Sequence, residues 1–361
     1  WAYDPSDVGF TVIPKFDRFV FNPKLFLYLS ENTDFSFGIN SMIENRLGGD
    51  MKYVEGKGDE EHSYFERNKT QRHSSQLTFE HRFDNQNRLN VKNSITYFSR
   101  KIEIPDFEFD GNQLSSFSEV SYIHTKEKTE WVTGANVWTD KFTEKKLTDF
   151  PVRDYNMTTF GLFVQNNTKI TDWMNLETGL RTDYITDYGF AVLPRISSHF
   201  KITEKFSSRI GGGFGYKAPT IFSEDSERIQ FQNVLPIDDD INKLERSYGA
   251  NVDFTYKTGL FNDQVFLSIN QLFFYTYLKN PLELQSADNN RWQFNNIDGH
   301  VDSKGAETNM KIKYKDFGLF VGYTYTDANV KEDGRSYRKT LTPKHKVNSV
   351  LMYEVEDKWK I

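Results

Sequence analysis

Asp238, Asp239 and Asp240 stand in succession, and Glu224, Asp225 and Glu227 precede them in the same polar segment. Crowded carboxylate oxygens are what a hard cation such as calcium takes as ligands. The spacing is not that of an EF-hand, and consecutive acids on a loop are usually just hydrated. Asp238, Asp239 and Asp240 are therefore the only candidate metal ligands, and no other cofactor is expected. Gly211, Gly212, Gly213 and Gly215 lead to Lys217, but the lysine follows Tyr216 rather than a glycine, so the phosphate-cradling pattern fails. These glycines fit a strand that a neighbouring body approaches closely. Of the histidines, His62 and His300 lie in or near expected loops, where a haem ligand would have to sit; ordinary surface histidine is the simpler reading. Serine, histidine and aspartate abound without a nucleophile elbow, and there is no cysteine to act as thiolate nucleophile or disulfide. An enzyme is not expected.

A second set of side chains suits binding rather than catalysis. Tyr64, Phe65, Phe107, Phe109, Phe222, Arg228, Phe231, Trp292 and Arg335 all fall in segments read as loops. Apolar rings with a few placed polar groups are what a small-molecule site requires. The same side chains equally suit loops packing on one another or against a surface lipoprotein.

The elements that must position these loops are strands. Over 34–47, Phe35, Phe37, Ile39 and Ile43 alternate with Asp34, Ser36, Glu44 and Arg46. That is period two over more residues than the ~5–6 of an ordinary strand, and enough for the ~9–11 of a strand crossing a bilayer. The alternation recurs through Leu77 to Phe83, Leu176 to Tyr184, Tyr248 to Tyr256, Val265 to Tyr275 and Phe317 to Tyr325, giving roughly 15 strands where an open sheet has ~2–10. Short turns are expected at 84–87, 126–129, 171–173, 203–205, 315–316 and 354–357. Between them fall longer polar segments at 48–71, 102–115, 141–157, 219–242 and 328–340, with one short exception near 186–191. Short turns at one end and long loops at the other are the asymmetry of outer-membrane barrels.

Composition agrees. Aromatics make up 16% of the 361 residues, with 32 Phe and 19 Tyr, yet 27% are charged. Mean hydropathy is -0.67, and the longest apolar run, Leu25 to Leu29, is far too short for a spanning helix. A net charge of -6 without a basic cluster argues against a nucleic-acid partner. On the face opposite the apolar one, Glu80, Arg82, Glu177, Arg181, Asp183, Arg209 and Asp253 are expected to point into a hydrated lumen.

Several segments then resemble one family in order. Gly213, Phe214, Gly215, Tyr216, Lys217, Ala218, Pro219 and Thr220 look like the aromatic, basic, Ala-Pro-Thr/Ser segment of TonB-dependent receptor barrels. Leu244, Glu245, Arg246, Ser247 and Tyr248 resemble the segment opening the next strand, without its usual Lys-Pro. Phe273, Phe274, Tyr275 and Thr276, then Ser303 to Glu307, then Tyr323 to Ala328, then Pro343 to Asn348, resemble later strand ends and starts, with a flavour of Bacteroidetes receptors.

The resemblance implies an all-β, transmembrane antiparallel β-barrel in the bacterial outer membrane, of about 22 strands around a plug. Roughly 15 strands make residues 1–361 a single incomplete barrel domain, with the plug not present and a further strand expected from Trp359. It also implies active import of a scarce ligand such as a ferric siderophore or cobalamin, energised through periplasmic TonB. The implied partners are outer-membrane lipid and lipopolysaccharide, TonB, a small-molecule ligand and a surface lipoprotein. The alternatives are a passive porin, or a non-transporting barrel within a larger outer-membrane complex.

Overall fold

The computed structural model describes residues 1–355 and 359–360. The alternation becomes a single meander. β1 (Lys15–Phe21) and β2 (Lys24–Ser30) lie end to end along β3 (Thr33–Gly49), interrupted at Pro23, which has no N–H for the ladder. After the short α1 (Met51–Val54) come β4 (Phe65–Arg82), β5 (Asn87–Ile104), β6 (Phe107–Lys126), β7 (Thr129–Glu144) and β8 (Tyr155–Thr171). β9 (Met174–Ile185), β10 (Gly189–Lys201) and β11 (Phe206–Lys217) follow, then α2 (Glu224–Arg228), β12 (Glu245–Leu260) and β13 (Val265–Lys279). A separate hairpin, β14 (Leu282–Ala287) and β15 (Arg291–Asn296), precedes β16 (Gly299–Tyr314) and β17 (Phe317–Glu332). β18 (Arg335–Arg338), β19 (His345–Val355) and β20 (Trp359–Lys360) end the sheet.

The main sheet holds 18 strands. Because β1 and β2 share one row, β18 and β19 share another along β17, and β20 is a two-residue stub, 15 full rows stand side by side among the described residues. This is the expected count. β20 also falls where a further strand was expected.

Register separates two faces, since side chains directly opposite across a ladder share a side. One face carries Phe160, Tyr184 and Phe190 in one row and Val164, Leu180 and Pro194 in another. The other carries Asn175, His199, Arg209 and Asp253 in one row and Glu177, Ser197, Gly211 and Asn251 in the next. The apolar face is edged by two aromatic bands. Near the end with long connections stand Phe160, Tyr184, Phe190, Phe214, Tyr248 and Tyr277; near the short turns, Trp173 stacks with Phe200 and Phe206 with Phe254, and Phe317 meets Tyr353 at a tilt. Tyr248 to Tyr256 on β12 is roughly 27 Å along the strand, which at the ~35–45° tilt of barrel strands rises roughly 19–22 Å, somewhat short of the ~25 Å apolar band of such barrels. No helix among the described residues is long and apolar enough to cross a membrane.

One prediction follows from this sidedness. Leu180 is 47% exposed in the middle of the apolar face, whereas Gln165, on the neighbouring strand, pairs with Gly179 on the polar face. Leu180→Arg is expected to destabilise the folded barrel in bilayers by about 2–4 kcal/mol, and Gln165→Arg to be tolerated. Urea titration of both variants in lipid vesicles checks this; equal midpoints would remove the sidedness, and a lower midpoint for Gln165→Arg would mean the faces are assigned the wrong way round.

The connections depart from expectation in two places. The segment 102–115 is not a loop: β5 and β6 continue to a two-residue turn at Pro105 and Asp106, with Asp106 at φ 62. Ile102, Ile104, Phe107 and Phe109 alternate well beyond the apolar band because their inward side meets another part of the chain. The segment 328–340 is likewise mostly strand, turning at Asp333 and Gly334, whose φ values of 49 and 73 are those of a type I′ hairpin. Strand β4 begins at Phe65, so the segment expected at 48–71 shortens to 50–64. Long connections remain at 145–154 and 218–244, and the turn at 186–188 is short as expected. Of the turn expected at 354–357, residues 356–357 lie outside the described residues.

Candidate functional site

The 218–244 connection joins two adjacent strands, β11 and β12, yet its middle reaches β4 to β7. Ser223 caps α2 through a reciprocal bond with Ser226. Arg100 of β5 then donates to both carboxylate oxygens of Glu227, at 2.9 and 2.6 Å. Gln230 donates to Glu66 of β4 at 2.6 Å. Phe231 stacks on Phe109 of β6, ring centres 4.5 Å apart, and meets Phe222 edge-on. The connection therefore reaches across the inner face to strands far from its own origin.

A compact apolar core fixes it there. Ile102, Phe109, Phe142, Ile221, Phe231, Val234 and Phe294 are all buried together, with Phe107, Tyr155 and Phe222 packed around them. Gln230, Phe231 and Asn233 sit at φ 54, 63 and 55, a left-handed region costing about 1–3 kcal/mol per such residue. Burial of Phe231 and its neighbours offsets that strain. The β14–β15 hairpin ties in from the other side: Trp292 donates to the Asn233 carbonyl at 2.9 Å and Asn242 to the Phe294 carbonyl at 2.7 Å. Beneath lies Arg153, its side chain 3% exposed, paired with Glu144 and donating to the Phe231 carbonyl at 2.5 Å.

The expected binding side chains thus divide. Phe109 and Phe231 are 1% and 0% exposed, so they hold the crossing segment and present no surface to a ligand in this conformation. Expected in loops that form a binding mouth, they stack on each other within the core instead. Phe65 and Phe107 line a cavity of about 790 Å³ together with Glu103, Glu144, Lys146 and Arg153. Arg228 and Trp292 line a separate cavity of about 220 Å³ with Glu283 and Tyr337. Burial raises the Glu283 carboxyl above its ordinary value, and burial with the adjacent Glu283 and Glu332 carboxylates pushes Tyr337 up to about 12. Phe222 packs against the core, Tyr64 lies beside Phe10, and Arg335 is exposed at the start of β18; none of the three lines either cavity.

Asp238, Asp239 and Asp240 do not converge: among the described residues no group of three acidic or imidazole donors is gathered to hold a metal ion. Asp238 instead accepts from the Asp240 amide at 3.1 Å, the local bonding of a turn. His300, read as a loop histidine, stacks on Tyr277 on the apolar side of β16.

The inner face holds the remaining expected residues in three places. Glu177, Arg209 and Asp253 line a concave cavity of about 860 Å³ with Arg195, His199, Gly211 and Gly213. Arg82 pairs with Asp34 at 3.0 Å and with Glu80 at 3.9 Å. Arg181 bonds Asp183 at 2.8 Å, and Asp183 accepts from Tyr216 at 2.9 Å. Gly161 is required there: a Cβ would lie 2.6 Å from both the Asn136 and Asp183 side-chain oxygens. The glycines of β11 line the concave wall, where bare backbone leaves room for an approaching body. Sequence reading missed Arg100, Glu144 and Arg153, whose partners are set only by which strands the connection reaches.

Comparison with known proteins gives one reading. A search of curated protein sequences finds no match. Among solved structures, the siderophore receptor PirA from Acinetobacter baumannii superposes with a TM-score of 0.70 at 16% identity, covering 95% of this chain and 57% of that one. The Serratia marcescens hemophore receptor HasR, solved as a double mutant in complex with its hemophore HasA and heme, gives 0.72 at 11% identity, covering 95% and 62%. The alcaligin outer-membrane receptor FauA from Bordetella pertussis gives 0.68 at 13%, covering 95% and 58%. The chain spans about three-fifths of the length of these receptors, and they share its fold. The family matched is described as TonB dependent receptor-like, beta-barrel, a family of receptors rather than enzymes, over residues 14–360. An apolar outer face between aromatic bands, a charged concave wall and this match make the protein a bacterial outer-membrane barrel, and the chain belongs to the TonB-dependent receptor β-barrel family.

Proposed function

We propose that the complete receptor imports a scarce metal chelate, a ferric siderophore ahead of cobalamin or haem, driven through a periplasmic TonB partner. The observation that carries this is the 218–244 segment, which crosses the inner face at the outer mouth and leaves a cavity lined by Phe65 and Phe107 beside it. A passive porin needs an open path at that level. Planar or chelated ligands stack on such rings, and Lys145 and Lys146 beside Glu103 and Glu108 offer polar groups of both signs to orient them. Below, the polar wall lets a plug exchange its contacts with water at a net cost of about 0.5–1.5 kcal/mol per hydrogen bond. The siderophore receptors that share the fold support the choice of cargo.

The test uses the intact receptor with its plug. Iron uptake from a panel of ferric siderophores is measured in cells with and without an uncoupler, alongside binding to purified receptor. Uncoupler-sensitive uptake, with about tenfold weaker binding in the double variant Phe65→Ala and Phe107→Ala, is the expected result. Uptake indifferent to the uncoupler supports a porin. A stoichiometric protein partner without ligand uptake supports a barrel serving a larger complex.

A further inference from the structure

Three elements of the outer mouth meet at the cavity of about 220 Å³: α2 brings Asp225 and Arg228, the β14–β15 hairpin brings Glu283 and Trp292, and the end of the β17–β18 hairpin brings Tyr337 and Lys339. The two hairpins share no ladder, since β14 and β15 pair with each other and β18 pairs with β17. Among the described residues one hydrogen bond joins them, and it comes from a phenol. The Tyr337 hydroxyl stands between two carboxylates, 3.4 Å from Glu283 and 3.3 Å from Glu332. A phenol has a single hydrogen, so it serves one carboxylate and turns a lone pair to the other. Both distances exceed the usual range for such bonds, as one hydrogen shared between two anions requires. Adding one proton to Glu283 completes the set: its carboxyl O–H donates to the phenol oxygen, and the phenol donates to Glu332.

The surroundings favour that proton. Burial raises the half-buried Glu283 carboxyl above its ordinary value, and the Glu332 and Asp225 charges add to this, while Lys339 and the Tyr337 hydroxyl work against it. The cations nearby are engaged elsewhere or stand off. Arg228 pairs with Asp225 at 3.9 Å, Arg335 lies opposite Glu332 in the hairpin register, and among the described residues no cation forms an ion pair with Glu283 or Glu332. Tyr337, pushed up to about 12, keeps its own hydrogen throughout the neutral range.

We propose that Glu283, Tyr337 and Glu332 form a proton-operated clasp, which fixes the β14–β15 hairpin to the β17–β18 hairpin in acid and lets it go as the pH rises. The sign follows from linkage. A carboxyl raised in the closed state holds that state fully below its ordinary range, and the hold is lost as pH rises through the raised value. The hairpin in turn secures the 218–244 segment, through the Trp292 amide on the Asn233 carbonyl at 2.9 Å and Asn242 on the Phe294 carbonyl at 2.7 Å. The clasp thus sets how firmly the mouth is covered, and it is independent of the cargo.

The intact receptor in nanodiscs is followed by hydrogen exchange of the 282–296 peptides from about pH 5 to about pH 8, each variant read against the wild type at the same pH so that the chemistry of exchange itself cancels. Glu283→Gln keeps a donor for the phenol oxygen and carries no charge, so it should stay closed. It should match the wild type at the acid end and exchange about tenfold more slowly than the wild type at the alkaline end. Tyr337→Phe removes the middle of the chain and should exchange about tenfold faster than the wild type at the acid end. Peptides from 229–236 should move in the same direction as the hairpin. Glu60→Gln, in the 50–64 connection, should track the wild type at every pH. Heat-modifiable gel mobility verifies that each variant is folded, and either of the two clasp variants suffices if the other is not. The proposal is overturned if Glu283→Gln tracks the wild type at every pH, or if Tyr337→Phe exchanges like the wild type at the acid end.

Discussion

Phe231→Ala is expected to release the 218–244 segment from the inner wall while leaving the barrel folded. Phe231 is fully buried, stacked on Phe109, and its ring also meets Phe222. Truncating a buried phenylalanine costs about 3–5 kcal/mol through lost burial and the cavity left behind. The left-handed backbone at this position is not relieved by alanine, so its strain stays while the compensation goes. The strands keep their own ladders, so the loss is local. Hydrogen exchange resolved by peptide should show the amides of 221–236 opening hundreds-fold faster, with β4 to β7 unchanged. Exchange as slow as in the wild type would show that the aromatic core does not hold the segment.

The second large effect lies directly beneath. Arg153→Met removes the guanidinium that pairs with Glu144 and bonds the Phe231 carbonyl, with both charged side chains nearly inaccessible to water. Breaking a buried pair from one side strands the remaining charge and costs about 3–5 kcal/mol. Glu144 would also lose the bond from the Arg153 Nε at 2.7 Å. Replacing both, Glu144→Gln with Arg153→Met, removes the stranded charge and should recover most of the loss. A double-mutant cycle read by denaturant titration of the segment's exchange checks this. Additive costs in the cycle would mean that the two side chains do not act as a pair. Arg153→Met and Phe231→Ala share the Phe231 carbonyl, so their effects should not sum.

Together these contacts give the outer mouth a specific character. The crossing segment is held by one apolar core, one buried ion pair and the two exchangeable contacts from Arg100 and Gln230. The first two set how firmly it stays. Of these groups Arg153 and Glu144 line the adjacent cavity, so a ligand there meets the ion pair directly. Loosening the segment should therefore change ligand access before it changes barrel stability.

What the sequence determined by itself was the wall. Alternation along each strand fixes which side chains meet lipid and which meet water, because a one-residue slip would turn Arg46 and two acids into the bilayer. Hence Leu180 and Tyr184 could be placed outside, and Glu177, Arg209 and Asp253 inside, from pattern alone. The short turns at 84–87, 126–129, 171–173, 203–205 and 315–316 were equally legible, since a ladder that reverses within a few residues leaves little choice. The tertiary structure alone decided the mouth. Period two says that Phe107 and Phe109 alternate, but not that β5 and β6 extend past the membrane to receive a segment from β11. Phe231, Arg153 and Glu144 carry no local signature, because their partners are distant in sequence and meet only when the wall curves.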